Sequence, residues 1–171
     1  MVLPARYATA WPPAHWLVEA CDVGQGDGLL LNTGRASAIL VDAGPDARLI
    51  DRCLRDAGIT TLDAVVLTHF HADHVDGLQG ALRHRRVGPV LVSSLLEPAP
   101  QFERISALVA QSDGQLVSVV PRSTTTIGSW QIHDLTPAAE PMNAARLESQ
   151  GSAPNNSSVV FLAQQGVVRV L

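Results

Sequence analysis

Apolar residues in this chain fall into short runs separated by glycine, proline and acidic turns, the pattern of strands bounded by breakers. Residues 16–23 and 28–31 read as two strands of a hairpin, joined through Asp22-Val23-Gly24-Gln25-Gly26-Asp27, where glycine permits a tight turn. Residues 36–41 form a third strand, closed by Asp42-Ala43-Gly44-Pro45. The period then changes. Leu49, Ile50, Cys53, Leu54 and Ala57 recur at helical spacing over residues 46–57, polar residues occupy the other face, and Gly58 is placed to cap the end. Residues 59–63 lead into the apolar run Ala64-Val65-Val66-Leu67. Strand, helix, strand predicts a βαβ unit, hence adjacent parallel strands covered by helices.

The second half continues the alternation. Val75, Leu78, Ala81 and Leu82 form the apolar stripe of a helix opened by Asp76-Gly77, with Gly77 placed to let it pass closely beneath the site. Residues 89–93 and 115–120 read as strands around a helix at 102–111, which turns Ile105, Leu108 and Val109 inward. Residues 124–134 give two short strands about Gly128-Ser129, and residues 159–163 and 167–171 give a last pair about Gln164-Gln165-Gly166. Residues 136–154 are the one long irregular segment, expected as a mobile loop over the site. Residues 1–15, interrupted by Pro4, Pro12 and Pro13, read as a lead-in, which leaves residues 16–171 as one partial domain.

Between the central strand and the next helix lies Thr68-His69-Phe70-His71-Ala72-Asp73-His74, with three of the chain's six histidines. In an extended segment His69 and His71 face the same way. Asp73 and His74 sit where the chain turns into the helix, so they address a second position nearby. This mixed nitrogen and oxygen set suits divalent zinc, manganese or iron. The spacing suggests a two-metal centre with ions about 3.5–4 Å apart. One ion takes His69 and His71, the other Asp73 and His74, and in an intact site Asp73 is the catalytic residue that additionally orients the hydroxide. Asp73 could alternatively be only a helix cap; the three adjacent histidines favour the metal.

Other residues carry two readings each. Asp42 is either a turn former or the acceptor that orients a metal-bound histidine through its other ring N–H. Gln25 and Asp27 belong to an ordinary hairpin or to the rim of the site. Arg83-His84-Arg85-Arg86 is the solvated end of a helix, where positive charge suits the dipole, or a set of phosphate contacts from Arg83, Arg85 and Arg86. His133 reads as a partly buried structural histidine, and Phe70 as a core residue inside the motif.

Composition narrows the class. The chain has 171 residues, 46% hydrophobic and 16% charged, with a net charge of −4. That length supports one real core, and that charge opposes broad nonspecific affinity for nucleic acid while leaving room for a local basic groove. All 12 basic residues are arginine. Cys21 and Cys53 sit in apolar patterns and read as buried thiols. No apolar stretch is long enough to span a membrane, and no signal peptide is apparent.

The histidine cluster matches the His-x-His-x-Asp-His signature of the metallo-β-lactamase-fold superfamily. Together with Cys21-Asp22-Val23-Gly24-Gln25-Gly26-Asp27, Val41-Asp42-Ala43-Gly44 and the segment from Asn156 to Phe161, it resembles the C-terminal domain of the ComEC competence family. That resemblance implies an α/β fold, an αββα sandwich, holding two divalent ions, zinc or manganese. The matching residues are Asp27, His69, His71, Asp73 and His74, with Asn156 at the rim. It also implies a nuclease that degrades the DNA strand not taken up. Single-stranded DNA and the membrane channel region of a parent protein would be its partners, at the extracytoplasmic face of the cytoplasmic membrane. Hydrolysis of another ester (a lactone, a thioester or a small phosphodiester) and an inactive DNA- or partner-binding domain are the alternatives.

One departure matters. The family continues past the last strand with a Leu-Thr-Gly-Asp motif, whose aspartate bridges the metals, and with a later histidine. Here the last histidine is His133 and the last aspartate Asp134. The sandwich is therefore expected to be incomplete at the C-terminus, with impaired metal affinity and weak or absent activity.

Overall fold

The computed structural model describes residues 12–112, 114–136 and 152–171. Most of the expected lead-in and of the expected mobile loop lies outside the described residues. The elements run β1 (Val18–Ala20), β2 (Leu29–Gly34), β3 (Ser37–Val41), α1 (Ala47–Asp56), β4 (Thr61–Leu67), α2 (Ala72–Val75), α3 (Leu78–Leu82), β5 (Arg86–Val87), β6 (Val90–Val92), α4 (Ala99–Gln111), β7 (Leu116–Ser118), β8 (Thr124–Ile127), β9 (Trp130–Asp134), α5 (Ala153–Asn156), β10 (Phe161–Gln165) and β11 (Val168–Val170).

The strands form two sheets. The first has the order β1-β2-β3-β4-β6-β7, with β5 also beside β4; the second is β11-β10-β9-β8. β1, β2 and β3 pair antiparallel, as the hairpin pattern requires. β3 and β4 pair parallel across the α1 crossover, and β6 and β7 extend the parallel part. α1 starts where the Asp46 carboxylate accepts the Arg48 N–H and ends at Gly58, whose φ of +69° glycine adopts without strain.

The middle of the first sheet is buried on both faces, and period-two alternation divides its side chains between two cores. Leu30, Ala38, Leu40, Leu62, Val65 and Leu67 pack toward the helices, against residues such as Ile50, Leu54, Leu78 and Ile105. Leu31, Ile39, Val41, Ala64 and Val66 face the second sheet, against Trp130, Ile132, Val159 and Ala163. Trp130 is fully buried there, and its indole N–H donates to Asn32 O (2.7 Å), tying β9 to β2. The layering is helix, sheet, sheet, in agreement with the expected α/β class. His133 is half-buried on β9 beside Thr124 (3.1 Å), in keeping with a structural role.

Two expectations are corrected. The helix after the histidine cluster is two short pieces, α2 and α3, separated at Asp76-Gly77. A Cβ on Gly77 would stand 2.0 Å from Ala43 O, and its N–H donates to Gly44 O (2.7 Å). The contact that only glycine permits is thus also the place where the helix breaks. Cys21 and Cys53 are not buried thiols but a disulfide. The apolar face of α1 lies against the chain beyond β1 and brings their Cα atoms to 5.7 Å, a separation that a bridge spans.

Candidate metal centre

β4 ends at Leu67, and the next seven residues carry the cluster across the carboxyl edge of the sheet. Phe70 goes the other way from its neighbours. It is fully buried and meets Phe102 edge-on, with centroids 5.4 Å apart, which anchors the loop from below. His69 and His71 then converge above it, with His69 Nε2 3.2 Å from His71 Nδ1. The His74 ring lies beside His69 (centroids 4.1 Å), and its Nε2 is 3.7 Å from Asp73 Oδ2. The four side chains singled out by spacing are therefore gathered at one place.

A buried carboxylate holds this arrangement. Asp42 sits at the end of β3 with φ +56°, the left-handed region, which aspartate tolerates better than most residues. It accepts three hydrogen bonds: from Thr68 N (2.8 Å) and Thr68 Oγ1 (2.7 Å), and from His74 Nδ1 (2.8 Å). Burial raises the Asp42 carboxyl above its ordinary value, against the lowering by His74 and Thr68. The hydrogen bond to Asp42 in turn raises the His74 imidazole, against its own burial. His69 goes the other way. Burial, with positive neighbours at His74 and His71, lowers it to about 4, so near neutral pH it is an uncharged imidazole with a lone pair to give.

The rim is set by the Gly24–Asp27 loop. A Cβ on Gly26 would lie 2.1 Å from Asp73 O, so only glycine lets this loop pack onto the cluster. That contact places Asp27 Oδ2 3.7 Å from His74 Nδ1, while Gln25 is exposed. Asn156 is exposed on α5. Two residues later, Ser158 Oγ reaches His69 Nδ1 (3.3 Å), and Thr68 Oγ1 lies 3.1 Å from the same nitrogen. Sequence reasoning singled out neither hydroxyl. The only signal for Thr68 was its place at the strand end, one residue before the first histidine.

The arginine block divides: exposed Arg83 and Arg86 fit the solvated helix end, and Arg85 turns inward. Arg86 pairs with Thr61 at the start of β4, whereas the histidines follow its end, roughly 23 Å of extended chain away. The Arg85 side chain is buried and its guanidinium engaged: it donates to Asp51 Oδ1 (2.9 Å) and to the carbonyls of Ile59, Gly80 and Arg83. Arg86 donates to Thr61 Oγ1, and Arg83 caps α3. None of the three reaches the centre. The run looked uniform in sequence, but its middle residue points inward.

The donor set can be tested against a metal. Two nitrogens bound at about 2.0–2.1 Å to one tetrahedral ion stand about 3.3 Å apart, close to the 3.2 Å between His69 Nε2 and His71 Nδ1. His74 Nε2 and Asp73 Oδ2 make a wider pair of a type that oxygen- and nitrogen-tolerant ions accept. Asp27, Asp42 and His74 also bring ligand atoms within 4.8 Å of one another. That trio meets at His74 Nδ1, whose proton goes to Asp42, so it orients His74 and leaves Nε2 to bind. The residues fit divalent ions in chemistry and bite. Among the described residues there are two donors per ion, fewer than the three protein ligands of a catalytic zinc.

A cavity of about 410 Å3 opens beside His69, His74 and Asp42. Leu29, Leu31, Val41, Val159 and Phe161 line it, and among the described residues no arginine does.

Comparison with known proteins gives the wider setting. A family model described as the metallo-beta-lactamase superfamily matches residues 21–160. ComE operon protein 3 of Bacillus subtilis (strain 168) is 25% identical over 169 residues, covering 87% of this chain and 20% of that protein. The chain thus spans about a fifth of that relative's length. Among solved structures, the metallo-beta-lactamase fold protein YhfI from Bacillus subtilis has a TM-score of 0.56 at 17% identity, covering 89% of this chain and 60% of its own. MEM-A1, a subclass B3 metallo-beta-lactamase from a soil metagenome library, has a TM-score of 0.57 at 14% identity, covering 90% and 58%. At such identities the likeness is one of fold.

Proposed function

The chain belongs to the metallo-beta-lactamase superfamily, and from that premise we propose that it is the metal-dependent phosphodiesterase part of a larger DNA-uptake protein, acting on single-stranded DNA. The observation that carries the chemistry is the convergence of His69 Nε2 with His71 Nδ1 beside the His74–Asp73 pair. The similarity to ComE operon protein 3 along most of the chain supports the setting. The Cys21–Cys53 disulfide fits an oxidising compartment, hence the extracytoplasmic side of a membrane. Among the described residues, no helix is long and apolar enough to cross a membrane; a channel region would be another part of the parent protein.

In this reading His69 and His71 hold one divalent ion, and His74 and Asp73 the other. Bound ions of this kind supply Lewis acidity, making water nucleophilic at neutral pH and drawing charge from a phosphate oxygen. The chain's own residues do the rest. Asp42 fixes His74, and burial keeps His69 uncharged. The Asp73 carboxylate, half exposed toward solvent, orients the incoming water and takes up its proton. Asp27 limits the rim on the side of the Gly24–Asp27 loop. With two donors per ion among the described residues, the ions would be held loosely, so the test supplies added metal.

The cavity favours a second reading. Its apolar wall, with no arginine among the described residues, suits a small neutral ester better than a polyphosphate. One experiment separates the readings. The protein is titrated with Zn2+ or Mn2+, its metal content is measured, and it is assayed on labelled single-stranded DNA, a lactone, a thioester and a small phosphodiester. Metal uptake with DNA cleavage is expected. Metal-dependent turnover of the small esters alone overturns the DNA reading, and DNA binding without metal or turnover makes the chain a binding module.

A further inference from the structure

We propose that Thr68 is a positioning residue that relays the charge of Asp42 to His69, so that one buried carboxylate sets the tautomer of both His69 and His74. The inference rests on the metal-centre reading, but the hydrogen-bond geometry carries it. A threonine hydroxyl has one proton and two lone pairs. At Thr68 that proton goes to Asp42 Oδ2 at 2.7 Å, a short bond to a carboxylate. Toward His69 Nδ1, 3.1 Å away, Thr68 Oγ1 is left only as an acceptor. His69 Nδ1 therefore carries the ring proton, and Nε2 keeps the bare lone pair that faces His71. Ser158 Oγ, 3.3 Å from Nδ1, can accept from that nitrogen or donate to it, so it leaves the choice of tautomer to Thr68.

The same carboxylate oxygen accepts from His74 Nδ1 directly at 2.8 Å, which leaves His74 Nε2 bare toward Asp73. Both rings thus present Nε2 to the centre, one through a direct bond and one through a hydroxyl. In the alternative tautomer Nδ1 could accept from Ser158 Oγ, but it would face the lone pairs of Thr68 Oγ1 at 3.1 Å unless Thr68 gave up its bond to Asp42. Asp42, buried and fixed at positive φ, would then lose one of its three donors. A bound ligand is not required for this preference, because the network is complete within the protein.

The test reads the metal-free protein at neutral pH by long-range 15N–1H correlation of its imidazoles. His69 and His74 are expected as Nδ1–H tautomers. In Thr68→Val, His69 shifts toward Nε2–H while His74 keeps its tautomer, and Thr68→Ser restores the wild-type pattern. Competition with a chromophoric chelator should then show Zn2+ affinity about 10–100-fold weaker in Thr68→Val, and restored within a few-fold in Thr68→Ser. An Nε2–H tautomer at His69 in the wild-type protein overturns the relay without any variant. So does a Thr68→Val protein with unchanged tautomer and affinity. Because no substrate enters these measurements, a protein that shows the relay and cleaves nothing removes only the proposed function.

Discussion

The two ends of β4 each carry a buried cluster of charged or titratable groups, and they differ in how those groups are satisfied. At the amino end, Arg85 spends its guanidinium on the Asp51 carboxylate and on backbone carbonyls. At the carboxyl end, Asp42 is saturated by Thr68 and His74, but the imidazoles it holds turn their remaining nitrogens toward one another and toward Asp73. A closed network has little left to offer a ligand, even though a cavity of about 410 Å3 lies beside this one as well. An open one, with two pairs of ligand atoms left facing each other beside a cavity, has the capacity to bind one. Charge and burial alone do not tell the two apart; the direction of the unspent donors and acceptors does.

The largest effect should come from opening the closed end. Arg85→Met leaves Asp51 buried, with only the longer contact to Arg55 (3.5 Å) in place of its main partner. Removing one partner of a buried ion pair costs about 3–5 kcal/mol. Urea unfolding should register that loss, while the metal stoichiometry of the folded fraction stays at the wild-type level. A drop in metal uptake by folded Arg85→Met would mean that the two ends are coupled and the contrast is false.

Next in size is the bridge between them. The disulfide joins the chain just before the Gly24–Asp27 loop to α1, across a separation of 32 residues. A cross-link of that span contributes about 3–4 kcal/mol through the unfolded chain. The double variant Cys21→Ser, Cys53→Ser should lose stability of that order in denaturant melts. Its metal affinity should also weaken, because the loop that packs on Asp73 through Gly26 is then held less firmly. Equal affinity in the two proteins would confine the disulfide to global stability.

Much of this contrast was readable in the sequence. The βαβ order, the parallel β3–β4 pairing and the gathering of His69, His71, Asp73 and His74 follow from local periodicity and from spacing within six residues. Asp42 was readable as a carboxylate at a strand end, though not as the hub of three hydrogen bonds. The disulfide was not foreseen, because its cysteines meet only once α1 has folded back over the first hairpin. That is a tertiary event, even though both apolar patterns were visible. The arginine block misled for a related reason: β5, two residues long, pairs beside the start of β4 and so fixes the run at the far edge of the sheet. Ser158 reaches His69 from 89 residues away, a distance no local pattern encodes.

The finest contrast lies within the open end, between His69 and His74, and acid should expose it. In the metal-free protein the folded-state value of His69 is about 4, against an ordinary 6.5. Below 6.5 the unfolded chain takes a proton that folded His69 refuses, so stability falls as pH drops from 6.5 toward 4. The bound is about 3 kcal/mol. His74 has the opposite sign. Its raised value means a contribution fully present below 6.5 and lost as pH rises through the folded-state value, so it adds no slope in the acid window. Asp42, also raised, gains stability as pH falls toward 3.8 and can only flatten the lower part of that window. Denaturant melts between pH 7 and 4 should therefore show an acid loss in the wild-type protein that His69→Asn removes and Asp42→Asn steepens. If His69→Asn keeps the full slope, burial of His69 is not its source. The neutral lone pair on which the metal reading depends would then need another explanation.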